Sequence, residues 1–374
     1  MVAGCLDFMT AGIADITPGQ AVVLQAAGAV LIDVREADEH ALGVPENALA
    51  IPRAQLELNA AAHIKNVDTK VLLICGSGMR SMMAAQALTA LGYQNVFNVL
   101  GGFQRWRFEK FPVQSSELEQ DFSERYARHL RLPQVGIEGQ KKLEHSHVVI
   151  IGAGGLGSPV AYYLAAAGVG NISIVDDDVV DKSNLQRQIL HTEADIGLPK
   201  VNSAATALLA LNPTINIQKH QCRLTAENVE QLIASADVVI DGSDNFPTRY
   251  LLNDACVKLA KPLVYAAVQR FSGQVSVFDA GRYRGEAPCY CCLFPDAPGS
   301  DDAPNCAEAG VLGVLPGVMG LLQATEAIKI ILNIGKTLAG RLLQFDALAM
   351  RFSEIQIPVD RQCSVCSSYC EPNI

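Results

Sequence analysis

The run Val148-Val149-Ile150-Ile151-Gly152-Ala153-Gly154-Gly155-Leu156-Gly157 decides how the larger part of this chain folds. Four consecutive β-branched residues read as a strand buried on both faces. The glycines behind them permit a tight turn and close backbone approach before a helix that runs to about Gly168. Amide groups at such a helix start are suited to holding phosphate. A second strand, Ile172-Ser173-Ile174-Val175, ends at Asp176, 24 residues past Gly152. An acidic residue there is placed to bond ribose hydroxyls. Further strands are expected at 238–240, 263–266 and 274–278.

A second strand–loop unit lies nearer the N-terminus. Ala29-Val30-Leu31-Ile32 leads into Asp33-Val34-Arg35, and Val71-Leu72-Leu73-Ile74 leads into Cys75-Gly76-Ser77-Gly78-Met79-Arg80. A helix from Ser81 to about Leu91 follows, then a strand over 95–99 closed by Gly101-Gly102. Short apolar runs alternating with helical patterns mark a parallel-sheet α/β architecture. At 374 residues the chain exceeds the ~250–300 at which single cores stop growing, so two domains are expected. The polar stretch Gln114-Ser115-Ser116-Glu117-Leu118-Glu119-Gln120 divides them, giving domains over 1–113 and 122–374 with a linker over 114–121.

Composition narrows the function classes. A net charge of −10 argues against a general nucleic-acid binder. Eleven cysteines, an odd number with paired CxxC spacings, favour a reducing compartment and metal or catalytic thiols over a disulfide framework. Val2-Ala3-Gly4-Cys5 lacks the preceding basic and apolar segments of a lipoprotein signal. The apolar stretch 311–332 contains Pro316, Gln323, Glu326 and Lys329, which suits a buried helix with one polar edge. A cytoplasmic protein with no membrane partner is expected.

The cysteine loop is built to hold a sulfur anion. A thiolate near neutral pH needs donors and positive potential, and a short loop opening a helix supplies both. Gly76 and Gly78 allow the curl, and Arg80 adds a cation. Four residues separate Cys75 from Arg80, one fewer than cysteine phosphatases use to enclose phosphate, so the cradle suits a persulfide. With Ile32-Asp33-Val34-Arg35-Glu36 and Leu100-Gly101-Gly102-Phe103-Gln104-Arg105-Trp106, the first ~112 residues resemble a rhodanese domain. The resemblance implies sulfurtransferase chemistry with Cys75 as the persulfide carrier. Gly43-Val44-Pro45-Glu46-Asn47-Ala48 lacks the histidine usual in that family's Gly-His-Ile-Pro-Gly-Ala segment, which is expected to affect loop packing more than chemistry.

Alone, the glycine loop and Asp176 would fit a nicotinamide-dependent dehydrogenase. Ser183-Asn184-Leu185-Gln186-Arg187, Pro199-Lys200 and Asp241-Gly242-Ser243-Asp244-Asn245 argue for a triphosphate and its magnesium instead. Cations there offset charge developing at phosphorus, which hydride transfer does not need. With Arg125-Tyr126-Ala127-Arg128 and Asp176-Asp177-Asp178, residues from about 125 to 366 resemble the ThiF and molybdopterin-synthase adenylyltransferase family, relatives of ubiquitin-activating enzymes. The resemblance implies a Rossmann-like adenylating domain. It implies ATP contacts from Gly152, Gly154, Gly155, Gly157, Asp176, Asp178, Ser183, Asn184, Leu185, Gln186, Arg187 and Asn245. Lys200 would steady the phosphates, Asp244 would hold Mg2+, and Arg128 would reach a neighbouring subunit's nucleotide across a homodimer interface.

Two cysteine pairs, Cys289-Tyr290-Cys291-Cys292 and Cys363-Ser364-Val365-Cys366, supply a four-thiolate set of the closed kind that zinc takes in structural sites. Cys289, Cys292, Cys363 and Cys366 are the expected ligands. Sequence leaves open an i+2 pairing of Cys291 with Cys289, and Cys370 is expected to be a bystander. Cys306, in Pro304-Asn305-Cys306-Ala307-Glu308, follows a Pro/Gly/Asp-rich stretch. The family resemblance gives it the thiol that bonds covalently to the carrier protein.

Together these resemblances imply an enzyme that adenylates the C-terminal glycine of a ubiquitin-like sulfur carrier and routes sulfur to it from Cys75, assisted by Arg80. The expected sulfur donor is a cysteine desulfurase or thiosulfate. The molybdenum-cofactor carrier is favoured over the thiamine and tRNA-thiolation carriers. Rivals are an NAD-dependent oxidoreductase with a docking rhodanese module, separable by ATP–pyrophosphate exchange, and a tRNA-modifying relative.

Overall fold

A computed structural model describes residues 13–40, 43–114, 120–296 and 310–367. Cα proximity divides the chain into two units, Met1–Ile137 and Glu138–Ile374. Residues 115–119 of the expected linker, together with Cys306 and Cys370, lie outside the described residues. The segment 122–137 groups with the first unit.

In the first unit, strands β1 (Ala14–Ile16), β2 (Val30–Asp33), β4 (Leu49–Ala50), β5 (Val71–Ile74) and β6 (Val96–Val99) form one parallel sheet, ordered β1-β6-β5-β2-β4. Central β5 is buried at every position, as its unbroken apolar run requires. The segment lacking the family's histidine becomes β3 (Val44–Pro45), paired antiparallel with β7 (Val113–Gln114). Asp33 ends β2 fully buried, beneath Arg35, whose Nη2 donates to it at 2.6 Å and to Gly43 O at 2.6 Å. Burial pushes the Asp33 carboxyl up, but His40 and Arg35 outweigh it and hold the group below its ordinary value.

The second unit is built on an eight-stranded sheet. Its strands are β8 (His147–Ile151), β9 (Asn171–Val175), β10 (Asn216–His220), β11 (Val238–Asp241), β12 (Leu263–Gln269), β13 (Ser272–Phe278), β14 (Arg341–Asp346) and β15 (Arg351–Gln356). Their order is β10-β9-β8-β11-β12-β13-β14-β15. The first five are parallel, as expected of a parallel-sheet α/β architecture, and β13, β14 and β15 extend the sheet by antiparallel pairings. Only Arg270 and Phe271 join β12 to β13, and so short a connection can only reverse the chain.

The helix Val314–Leu332 packs its face of Leu315, Met319, Gln323 and Ala327 against β11 to β13 and the helix Gly157–Ala167. Among the described residues it is long and apolar enough to cross a membrane, yet its polar groups are used inside the unit. Gln323 Nε2 donates to Asp241 O at 2.7 Å and Val264 O at 3.1 Å, while Glu326 accepts from Leu338 N at 2.7 Å. This helix therefore ties the C-terminal end of β11, the kind of edge where ligand sites form in such sheets, to the start of β12.

Gly320 lets the clamp close on the glycine loop. A Cβ there would lie 2.6 Å from Leu156 O and 2.5 Å from Pro159 Cγ, whereas one on Gly317 would meet nothing within 4 Å. Gly320→Ala should lower the urea midpoint of unfolding, and Gly317→Ala should raise stability by about 0.5–1 kcal/mol through helix propensity.

Candidate functional site

Strand β8 delivers the glycine loop to the edge of one cavity of about 310 Å³, a volume in the range of small-ligand sites. A Cβ on Gly157 would sit 1.9 Å from Gly152 O, so the first helical turn can close against the loop only as glycine. Gly152 has φ +95° and stands against Gly242 O, which joins this loop to the one leaving β11.

Ala153, between the glycines, is gripped on both sides. Its N–H donates to Asp176 Oδ2 at 2.7 Å, and its carbonyl lies 3.0 Å from His191 Nε2. A carbonyl only accepts, so Nε2 carries the hydrogen and Nδ1 accepts from Ser203 Oγ at 2.8 Å in the neutral ring. Burial holds the His191 pKa down, with Lys200 acting in the same direction. Ser203 lies one turn beyond Lys200 on the helix Lys200–Leu211. His191 thus connects the glycine loop to the helix carrying the buried lysine. Sequence reading missed it, although it stands only four residues past Arg187.

Around the cavity stand Gly152, Gly154, Gly155, Asp176, Asp178, Arg187, Lys200, Asp244 and Asn245, all expected from the sequence. Lys200 Nζ pairs with Asp178 Oδ2 at 2.7 Å, and the lysine side chain is only 5% exposed. The Asp176 carboxylate accepts Ala153 N and Asp178 N; burial raises its pKa against the pull of Lys200. Asn245 caps the helix Phe246–Lys258, its Oδ1 accepting Thr248 N at 3.0 Å. Ser183, Asn184, Leu185 and Gln186 do not themselves line the cavity. Asp181 caps their 3₁₀ turn through Ser183 N, and Asn184 Oδ1 accepts Arg187 Nη2 at 2.7 Å, so the turn aims the arginine.

Gln188, Arg249 and the segment Cys222-Arg223-Leu224 also face the cavity and were not anticipated. Arg249 donates to Ser243 O at 3.2 Å and lies 3.8 Å from the fully buried Asp241, whose carboxyl burial pushes up. These residues carry no local motif; the fold alone brings them to the site. Arg128 is exposed and belongs to the first unit.

In that unit, Cys75 is 1% exposed, and its sulfur accepts Gly78 N at 3.2 Å. Burial raises the thiol pKa, but the Ser81 hydroxyl and the amides of Ser81, Gly78 and Ser77 together bring it below its ordinary value. Arg80 is not a lone cation beside the sulfur, because Glu39 holds it through two bonds of 2.5 and 2.8 Å. Gly102 brings the turn after β6 against the loop, where a Cβ would lie 2.2 Å from Cys75 O.

Cys289, Cys292, Cys363 and Cys366 converge, with their sulfurs within 4.8 Å of one another. The pairs Cys289–Cys363 and Cys292–Cys366 stand 3.5 Å apart and Cys292–Cys289 3.9 Å. A tetrahedron with ~2.3 Å metal–sulfur bonds has edges of about 3.8 Å, so this quartet fits zinc. Contacts with neighbouring thiols push Cys289 and Cys292 up, and burial does the same to Cys366, the strain a dication relieves. Cys291 accepts from Asn253 Nδ2 at 3.5 Å and stands outside the quartet.

The ThiF family model matches residues 126–365. The chain belongs to the ThiF family. A rhodanese-like domain model matches residues 17–109 of the same chain. This ThiF-family chain is 52% identical over 244 residues to a sulfur carrier protein adenylyltransferase of Thermus thermophilus, covering 65% of this chain and 90% of the relative. It is 49% identical to a SAMP-activating enzyme E1 of Haloferax volcanii, covering 65% of this chain and 88% of that one. A probable adenylyltransferase/sulfurtransferase of Mycobacterium tuberculosis is 48% identical, over 66% of this chain and 63% of the relative. A crystal structure of E. coli MccB with ATP shares the fold at TM-score 0.57 and 23% identity, covering 71% of this chain and 80% of that one. The chain is thus an enzyme, an adenylyltransferase with a rhodanese-like sulfurtransferase domain.

His191→Leu should leave the Ala153 carbonyl without its donor and raise the KM for ATP by roughly tenfold, the equivalent of about 1.4 kcal/mol, read from ATP–pyrophosphate exchange. Chelation should release zinc and lower the melting temperature, and Cys363→Ser should reduce the metal content of purified protein.

Proposed function

We propose that the second unit adenylates the C-terminal glycine carboxylate of a small ubiquitin-like sulfur-carrier protein, and that the first unit brings sulfur to it. The observation that carries this reading is a cavity in which Arg187, Lys200 and Asp244 stand together with the glycine loop. Two cations with a carboxylate fit a magnesium triphosphate. The relatives named for sulfur-carrier and SAMP activation support the choice of acceptor.

A carboxylate resists sulfur because it offers no good leaving group. Its oxygen attacks the α-phosphorus of ATP, the α–β bond breaks, and pyrophosphate leaves. Arg187 and Lys200 offset the charge that develops there, with Lys200 leaving Asp178 to do so. Asp244 would hold Mg2+, and that ion would neutralise the departing pyrophosphate. The terminal sulfur of the Cys75 persulfide then attacks the acyl carbon and AMP leaves. An external dithiol then attacks Cys75 Sγ of the resulting acyl disulfide: the S–S bond breaks, the thiocarboxylate leaves, and the second thiol of the reductant closes its own disulfide and frees Cys75. Cys306 is our proposed thiol for the covalent stage on the carrier.

Among carriers we favour the molybdenum-cofactor one over those of the thiamine and tRNA-thiolation routes, which the motifs 125–128 and 183–188 and the paired cysteines support. Cys289, Cys292, Cys363 and Cys366 are proposed to hold structural Zn2+. A cytoplasmic homodimer, with Arg128 serving the neighbouring nucleotide, completes the proposal. The sulfur donor is a cysteine desulfurase or thiosulfate. Fusion in one chain raises the effective concentration of donor sulfur near the activated carrier.

Each candidate carrier should be incubated with the full chain, ATP, Mg2+, thiosulfate and a dithiol reductant, then weighed by mass spectrometry for exchange of one oxygen for sulfur. Lys200→Ala and Asp244→Ala should each reduce ATP–pyrophosphate exchange ~100-fold, about 2.7 kcal/mol, while sparing thiosulfate:cyanide transfer. Cys75→Ala should do the reverse. Affinity for NAD without affinity for ATP would overturn the proposal.

A further inference from the structure

Cys75 ends a hydrogen-bonded chain that crosses three neighbouring strands. Its Sγ lies 3.3 Å from Ser81 Oγ, which lies 2.7 Å from Asn98 Oδ1, and Asn98 Nδ2 donates to Asp15 Oδ1 at 2.8 Å. Ser81 is fully buried, and Cys75 and Asn98 nearly so. The parallel pairing of β6 with both β1 and β5 brings Asp15 beside Asn98 and stands Asn98 near the end of β5.

A hydroxyl carries one hydrogen, and Ser81 has three acceptors in reach: Cys75 Sγ, Asn98 Oδ1 and, at 3.1 Å, Gly78 O. Asp15 biases the contest from a distance. Its carboxylate only accepts, so it takes the Asn98 amide hydrogens and leaves Asn98 Oδ1 facing Ser81. Turning that amide over would set its oxygen against the carboxylate. The oxygen beside Ser81 is therefore a fixed competitor for the hydrogen that a thiolate at Cys75 would otherwise receive.

We propose that Asn98, held by Asp15, draws the Ser81 hydrogen away from Cys75 and so favours the persulfide over the free thiolate; both act as positioning residues in sulfur transfer. The inference rests on the reading of Cys75 as persulfide carrier. During loading, the Cys75 thiolate attacks the outer sulfur of a donor persulfide R–S–S⁻. The new Sγ–S bond forms, the donor S–S bond breaks, and its electron pair leaves on R–S⁻. Thiosulfate reacts in the same way, with sulfite as the leaving group. Negative charge passes from Sγ to the outer sulfur. Uncharged Sγ no longer needs Ser81, whose hydrogen goes to Asn98 Oδ1, so the relay is satisfied in the product and contested in the reactant.

The other charges around the loop are already engaged. Arg80 pairs with Glu39, with Glu36 close enough to act on the same guanidinium. Asp33 is bonded by Arg35 and His40 from the β2 side, and Arg105 pairs with Glu109 beyond Gly101. Asp15 acts on the sulfur through Asn98.

The test is the pH dependence of Cys75 alkylation by iodoacetamide in the full chain, together with the fraction of Cys75 persulfide formed at fixed thiosulfate. Asn98→Val should commit Ser81 to the thiolate. The alkylation midpoint should fall by about 0.5–1 pH unit and the persulfide-to-thiolate ratio by roughly 3- to 10-fold. Asp15→Asn should shift both the same way by less, because Asn98 can then turn over, whereas Ser81→Ala should raise the midpoint. An unchanged midpoint in Asn98→Val, or a rise like that of Ser81→Ala, sinks the inference. Should Asn98→Val fail to match the wild-type melting curve, Asp15→Asn decides by the same readouts. Absence of any Cys75 persulfide in the wild-type chain would instead strike the sulfurtransfer reading itself.

Discussion

The cavity beside the glycine loop depends on how the backbone of Ala153 is held. Asp176 takes its N–H and His191 its carbonyl. Through those two bonds the glycine loop is tied to the end of β9 and to the helix that carries Lys200. A loop meant to approach phosphates cannot be held by side chains projecting into the ligand's space. It is held from behind by its own peptide groups, which only glycine neighbours leave reachable. The close approaches of Gly157 to Gly152 and of Gly320 to Leu156 then bring the first helical turn and the clamp helix against the same few atoms.

The two candidate centres share an electrostatic device. Each presents a cation to an anion site, and each cation is already paired: Arg80 with Glu39, Lys200 with Asp178. An unpaired lysine as buried as Lys200 would pay heavily in lost hydration. The carboxylate partner keeps it charged and aimed while leaving it able to exchange one anion for another. The sulfur cradle then relies more on hydroxyl and amide donors than on Arg80, which agrees with the causes that lower the Cys75 pKa. The zinc-fitting quartet solves the opposite problem, since it gathers four groups that become anions and needs a cation from outside.

Much of the fold was legible in the sequence because its decisive signals are local. The runs 148–151 and 71–74 are strands buried on both faces, and each leads into a loop whose glycines have positive φ where the chain curls, Gly152 at +95° and Gly78 at +107°. The strand expected at 274–278 carried no direction, because strand propensity says nothing of sense; the two-residue link to β12 makes β13 antiparallel to it. Strand β10 was missed because it lies at the sheet edge with little buried apolar surface to mark it. At the site, Asp176, Arg187, Lys200 and Asp244 were readable as a set. His191, Arg249 and Glu39 were not, since each acts on a partner that no motif places beside it.

By itself the sequence determined which chemistries the chain can hold: a cysteine and a glycine loop each placed behind a buried strand, and two cysteine pairs spaced for a metal. Those depend on residue type and on neighbours a few positions away, where chain connectivity already sets geometry. Only the tertiary structure decided which charge neutralises which, and which hydroxyl hydrogen two acceptors contest. Electrostatic and hydrogen-bond partners are chosen by distance through space, and Arg80 finds Glu39 41 residues away, while Asn98 finds Asp15 across 83.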